Sequence, residues 1–311
     1  MSSDWVGDEI RANLLNDNQL KDVSNYFRPT YSRKLCKVFV GIGLVCVVVG
    51  VGIGFGVYYG RRCAGSCLGS YESESKLGVY NKYAVSTDSQ PCAHIGKEIL
   101  EENGNAMDSM IAVLLCMGVT IPESMGLGGG ALILIYNTKT NKSFAINARE
   151  KAPAAAYKDM YKDKGFHNSV DGPLAIAVPG ELHGYWHMFK DHGSGNIKWS
   201  RLFEGAIGLC ETGFEVSEHL ATALDQKKDY IRNHTDLKAI YIDPNTGDVY
   251  KKGKTMVQKT LGKTLRAISQ AEDPIKYYYE ELSKIIVDDI KRTAKEWDNT
   301  DPIITVDDFK A

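Results

Sequence analysis

The chain has 311 residues, 43% of them hydrophobic and 24% charged. A content that apolar excludes a wholly disordered polymer. The 37 cations and 39 anions leave a net charge of −2, which gives no electrostatic footprint for nucleic acid.

Residues 1–37 are polar and mixed in charge, without a sustained apolar period, and read as a cytoplasmic tail. From Val38 to Gly60 no charge occurs. As a helix that run reaches about 34 Å, enough to cross a hydrocarbon core of ~30 Å. Tyr58 and Tyr59 fall where an interfacial aromatic belt forms. A cleaved signal peptide needs a short basic start and a small-residue cleavage site, and neither is present: the run ends in Gly60-Arg61-Arg62. The expectation is an uncleaved signal anchor over residues 38–60. Arg28, Arg33, Lys34 and Lys37 crowd its first flank, which favours a cytoplasmic amino terminus and an outer carboxy-terminal part. Gly50, Gly52, Gly54, Gly56 and Gly60 form small-xxx-small pairs that permit close helix approach.

Residues 61–77 read as a stalk containing Cys63 and Cys67, and the folded part is expected over residues 78–311. Outside the apolar run lie Cys63, Cys67, Cys92, Cys116 and Cys210, an odd number, so at least one is unpaired or intermolecular. The sequons Asn141-Lys142-Ser143 and Asn233-His234-Thr235 are glycan acceptors on a lumenal chain.

Within the folded part, Tyr83 to Ser86 reads as a short strand. Pro91 opens a helix that ends at Asn103-Gly104, and Asn105 caps a second helix from Ala106 to about Val119. The glycine run Gly126-Leu127-Gly128-Gly129-Gly130 follows. Phosphate loops run strand, glycines, helix; here the order is helix, glycines, strand, so the glycines are read as permitting close backbone approach. Ala131 to Tyr136 is continuously apolar, as in a strand covered on both faces, and Ser143 to Arg149 returns as its hairpin partner. Arg149, at the strand end, can hold a carboxylate through paired N–H groups or can pair with Glu150; the residue types alone leave the two open. His183 and His187 have metal-ligand spacing, but glycine stands at 184 where a zincin has glutamate, and no third ligand is evident; no metal is expected. Helices follow over Ser200–Glu211 and from Ser217, and Asp273-Pro274 opens a long one to about Trp297. This order lacks the alternation of a doubly wound fold and indicates an α+β protein.

Several segments together resemble the gamma-glutamyltransferase (glutathione hydrolase) family: Ala84-Val85-Ser86-Thr87-Asp88 with Cys92-Ala93-His94-Ile95-Gly96; Asn103-Gly104-Asn105-Ala106-Met107-Asp108; Ser124-Met125-Gly126-Leu127-Gly128-Gly129-Gly130; Asn147-Ala148-Arg149-Glu150-Lys151-Ala152-Pro153; and Val178-Pro179-Gly180-Glu181-Leu182-His183-Gly184. The resemblance spans about residues 79–311. It implies a four-layer αββα N-terminal-nucleophile hydrolase, incomplete here and preceded by one transmembrane helix. It implies a surface enzyme of the plasma membrane, type II, that cleaves the gamma-glutamyl bond of glutathione and other gamma-glutamyl compounds with a threonine made amino-terminal by self-cleavage. Water or an amino acid or peptide then takes the acyl group, and no cofactor is used. Arg149 matches the arginine that grips the glutamyl alpha-carboxylate, and Cys92 and Cys116 match the first family disulfide; Cys210 is then expected to be free. No Thr-Thr dipeptide occurs. By this resemblance the chain is the amino-terminal part of the large subunit, carries no catalytic nucleophile, needs the small subunit as partner and is inactive alone. A competing reading is a non-catalytic, membrane-anchored binding protein with a degenerate hydrolase fold.

Overall fold

The computed structural model describes residues 77–162, 166–297 and 300–310. The expected tail, the span over 38–60 and nearly all of the stalk lie outside the described residues. Among the described residues no helix is long and apolar enough to cross a membrane. The residues from Lys82 onward form one packed unit.

Helix α1 (Gln90–Glu101) begins with Pro91 in its first turn, where a missing N–H costs nothing. Its exit uses Asn103 at φ +67°, followed by the Gly104 N–H on the Ile99 carbonyl at 2.9 Å. Helix α2 (Ala106–Thr120) starts two residues later with a full capping box at Asn105. Asn105 accepts from the backbone N–H groups of Met107 and Asp108, and Asp108 accepts from that of Asn105. The two helices pack at Gly96, where a Cβ would strike the Val113 side chain. A Cys92–Cys116 disulfide ties them, with Cα atoms 5.5 Å apart. Tyr83–Ser86, expected as a strand, has no ladder partner among the described residues.

Strands β1 (Ala131–Asn137) and β2 (Lys142–Ala148) form an antiparallel hairpin in which Ile133 faces Ile146 and Ile135 faces Phe144. Those four side chains join the core. Their neighbours do not. Leu132 is 74% exposed, Leu134 77% and Tyr136 57%. The expectation of a strand covered on both faces is therefore corrected. Alternate side chains point to opposite faces of a strand, and helix α3 (Glu181–His192) covers only one of them.

Helix α4 (Trp199–Thr212) is the centre of the core, burying Leu202, Phe203, Ala206, Ile207 and Cys210. Gly213 ends it at φ +97°, a conformation that favours glycine. A two-residue ribbon follows, β3 (Phe214–Glu215), then α5 (Glu218–Gln226) under a Ser217 cap, α6 (Lys228–Asn233) and α7 (Thr235–Tyr241). Strands β4 (Ile242–Asp243) and β5 (Asp248–Val249) pair with each other, and β6 (Thr255–Met256) pairs with β3. Helix α8 (Lys259–Gln270) lies along α4, with Gly262 seated on the Cys210 Cβ. Cys210 is a free, fully buried thiol, its pKa pushed up to about 12 chiefly by burial.

The Asp273-Pro274 start behaves as its sequence indicates: the Asp273 carboxylate accepts from the N–H groups of Ile275 and Lys276. The helix is not uniform. It runs as α9 (Pro274–Lys276), a π turn over Tyr277–Leu282, then α10 (Ser283–Trp297). The extra residue in the π turn brings Tyr278 and Tyr279 into the interior, 4% and 8% exposed. Helix α11 (Val306–Phe309) closes the described part of the chain.

Candidate functional site

The glycine segment between α2 and β1 is held at several points. The Gly129 carbonyl accepts from the N–H groups of Gly180 and Glu181, at 3.0 and 3.1 Å, so the start of α3 is satisfied by the loop and not by solvent. The Gly129 N–H closes a turn onto the Gly126 carbonyl at 2.8 Å. Tyr278 donates to the Leu127 carbonyl at 2.7 Å, and Tyr279 donates to that of Pro179 at 2.9 Å. The π turn thus clamps both sides of the loop–α3 junction.

Against this junction lies the end of β2. A Cβ on Gly130 would come 2.6 Å from the Ala148 carbonyl oxygen, and one on Gly180 would come 2.5 Å from the same atom. A Cβ on Gly184 would fall on the Ala148 methyl. These glycines are required by the close approach of three backbones to residues 148–149. Arg149, the next residue, leaves the strand and points outward, its side chain 57% exposed. Its Nη1 donates to the Gly130 carbonyl at 3.4 Å, and its Nη2 sits 2.9 Å from Glu150 Oε2. Its own N–H is held by Asn147 Oδ1 at 3.1 Å. Of the two readings left open for Arg149, the structure shows the Glu150 pair. More than half of the side chain still faces solvent and retains donors for a carboxylate.

Across Gly129 from Glu150 lies a second carboxyl, one that the sequence does not single out. Glu181, the first residue of α3, is 1% exposed. Tyr185 donates to it in a very short hydrogen bond, and the Gly126 N–H also donates to it. Burial raises its pKa to about 7, a rise that these two donors oppose and Glu150 reinforces. Burial likewise drives Tyr185, Tyr278 and Tyr279 above the usual phenol range, so all three are neutral donors. The sequence signals for this layer are the Pro179-Gly180-Glu181 step and the run Tyr277-Tyr278-Tyr279. Neither indicates by itself that the side chains turn inward.

His183 and His187 share one face of α3, with ring centroids 5.1 Å apart. Burial lowers the His183 pKa, with His187 and Lys151 adding to the effect. Among the described residues no cluster of three or more His, Cys, Asp or Glu is placed to hold a metal ion. The other candidate residues lie away from the loop–β2 junction. Asn141 sits at the exposed hairpin tip at φ +53°, accepting from Tyr136, and Asn233 is exposed at the end of α6. The Cys92–Cys116 bridge belongs to the α1–α2 pair.

A family profile described as gamma-glutamyltranspeptidase matches residues 92–311. The chain belongs to the gamma-glutamyltranspeptidase family. Scoloptoxin SSD14 of Scolopendra dehaani is 40% identical over 238 residues, 75% of this chain and 40% of that protein. Glutathione hydrolase 3 of Arabidopsis thaliana is 34% identical, over 76% of this chain and 34% of its own. Glutathione hydrolase 5 proenzyme of Mus musculus is 30% identical, over 89% of this chain and 44% of its own. The chain thus spans less than half the length of these relatives. Among solved structures, the gamma-glutamyltranspeptidase of Helicobacter pylori superposes with a TM-score of 0.68 at 29% identity, covering 76% of this chain and 65% of that one. The enzyme from Pseudomonas nitroreducens, in complex with L-DON, gives 0.64 at 30% identity, covering 75% and 65%. The gamma-glutamyltranspeptidase fold is therefore the frame in which the glycine loop, the β2 end and the start of α3 meet.

Proposed function

We propose that this chain supplies the substrate-holding wall of a membrane-anchored gamma-glutamyltransferase (glutathione hydrolase), with Arg149 as the grip on the glutamyl alpha-carboxylate. The observation that carries the reading is the placement of Arg149. Its backbone is fixed by the packing of Gly130, Gly180 and Gly184, while its guanidinium stays open to solvent. A rigid base with an exposed planar cation suits bidentate capture of a carboxylate. Substrate replaces water on the free N–H groups, while Glu150 keeps the guanidinium aimed.

The attacking threonine and the oxyanion donors belong, in this reading, to the small subunit. That subunit would complete the αββα sandwich over the exposed face of β1 and β2. Glutathione presents its gamma-glutamyl amide to the threonine hydroxyl, whose own amine takes the proton. The acyl group then passes to water or to an amino acid or peptide. The uncharged run over 38–60, with Cys63 and Cys67 beyond it, supports a type II anchor in the plasma membrane. Exposed Asn141 and Asn233 suit glycan attachment on the outer side.

The test uses the full-length protein and a gamma-glutamyl anilide. Arg149→Ala should raise KM far more than it lowers kcat, a loss of about 2–5 kcal/mol if the ion pair to substrate is desolvated. Arg149→Lys should recover part of it. An unchanged KM in Arg149→Ala, or a full-length protein that neither cleaves itself nor turns over, overturns the reading. In the second case a non-catalytic binding role takes its place.

A further inference from the structure

We propose that Glu181 is a positioning residue for Arg149 that works as an uncharged acid, and that its ionisation weakens the hold on the glutamyl carboxylate. The inference deepens the proposed function and rests on it. It starts from a juxtaposition around Gly129. A Cβ there would lie 3.4 Å from Glu181 Oε2 and 3.7 Å from Glu150 Oε1. Two carboxyl groups therefore flank one glycine, one of them fully buried and the other paired with Arg149.

The surroundings decide which form of Glu181 the fold accepts. From its own helix it meets Tyr185, and from the end of β2 it faces Glu150. From the π turn it meets Tyr278 and Tyr279, both held neutral by burial. Helices α2 and α8 contribute only apolar side chains to the small cleft beside it, among them Leu114, Leu115, Val119, Leu261 and Leu265. No cation from these elements acts on Glu181, and Arg149 is engaged through Glu150.

An uncharged Glu181 leaves the Glu150 charge directed at Arg149 and the loop settled between the two carboxyls. A charged Glu181 repels Glu150 across Gly129 and adds a second negative charge near the Arg149–Glu150 pair. Both effects weaken ground-state binding, so they appear in KM before kcat. The rise in the pKa of Glu181 to about 7 puts this change near neutrality.

The experiment measures KM for a gamma-glutamyl anilide in the full-length protein between about pH 5.5 and 8.5. In wild type, KM should rise roughly 3–10-fold across neutrality, with a smaller change in kcat. Glu181→Gln, of the same shape and never charged, should flatten that rise. Tyr185→Phe removes a donor that favours the charged form, so the rise should move to higher pH. A Glu181→Gln enzyme with the wild-type KM profile, or a Tyr185→Phe profile displaced to lower pH, overturns the proposal. If Glu181→Gln does not fold, the Tyr185→Phe displacement decides alone. Arg149→Ala in the same assay separates the two readings. A raised KM there with an unaltered Glu181→Gln profile removes only the role of Glu181. An unraised KM removes the carboxylate grip and this proposal with it.

Discussion

A buried carboxyl with a raised pKa also leaves a mark on folding. In the unfolded chain Glu181 titrates near the ordinary ~4.3, and in the folded protein at about 7. The folded state thus holds the proton more tightly. Its stabilising contribution is complete below about pH 4, declines as pH rises through about 7, and is constant above that. The expected slope is about 1.4 kcal/mol per pH unit inside that window. Urea midpoints at pH 5 and pH 8 check it, since wild type should lose more stability than Glu181→Gln between about those two values. Equal losses would mean that another group sets the slope. Arg149 was singled out in the sequence by the resemblance of its segment, since the residue types alone left a carboxylate grip and a pair with Glu150 open. Glu181 was not, because a carboxylate at the first position of a helix is ordinarily a solvated dipole partner. Only the arrival of the glycine loop and the π turn, distant in sequence, removes it from water.

At the level of elements, the helix starts were readable and the contacts between elements were not. Asn105, Ser217 and Asp273 each accept backbone N–H groups in the first turn that follows them. Those are local matters of residue type and spacing. The glycines needed the structure. Gly130, Gly180 and Gly184 converge on Ala148 and Arg149, whereas Gly128, from the same run, has nothing within 4 Å of its would-be Cβ. The contrast gives a paired prediction. Gly184→Val should destabilise the fold by about 1–3 kcal/mol through overpacking, while Gly128→Ala should be nearly neutral. Thermal melts of the two variants against wild type test it, and equal shifts would mean that the close approach at Ala148 carries no weight. The π turn is hidden in the sequence for a related reason. Three consecutive tyrosines fit a regular helix as well, and the bulge exists because two hydroxyls must reach carbonyls on different segments.

Across the whole molecule, the largest departure from expectation is the bare outer face of the hairpin. A run such as Ala131 to Tyr136 shows that both faces of a strand are apolar, but it does not show what covers them. Here Ile133 and Ile135 turn to the core, and Leu132, Leu134 and Tyr136 stay in solvent. Contiguous apolar exposure of this kind favours association. In the proposed assembly the small subunit covers it. The double substitution Leu132→Ser with Leu134→Ser should therefore make the 311-residue chain, expressed alone and held in detergent, less prone to self-association. In the full-length protein it should lower the yield of mature, two-subunit enzyme. Sedimentation and gel analysis of maturation check the two halves, and a mature yield equal to wild type would show that this face is not part of the subunit contact.

Cys210 adds one consequence for the proposed outer location. Its sulfur is sealed between α4 and Gly262 of α8 and remains a thiol rather than a thiolate. Disulfide exchange requires an accessible thiolate, so in an oxidising medium Cys210 has no means of attacking the Cys92–Cys116 bond. The one free cysteine among the described residues is kept from exchange for as long as the helices stay together.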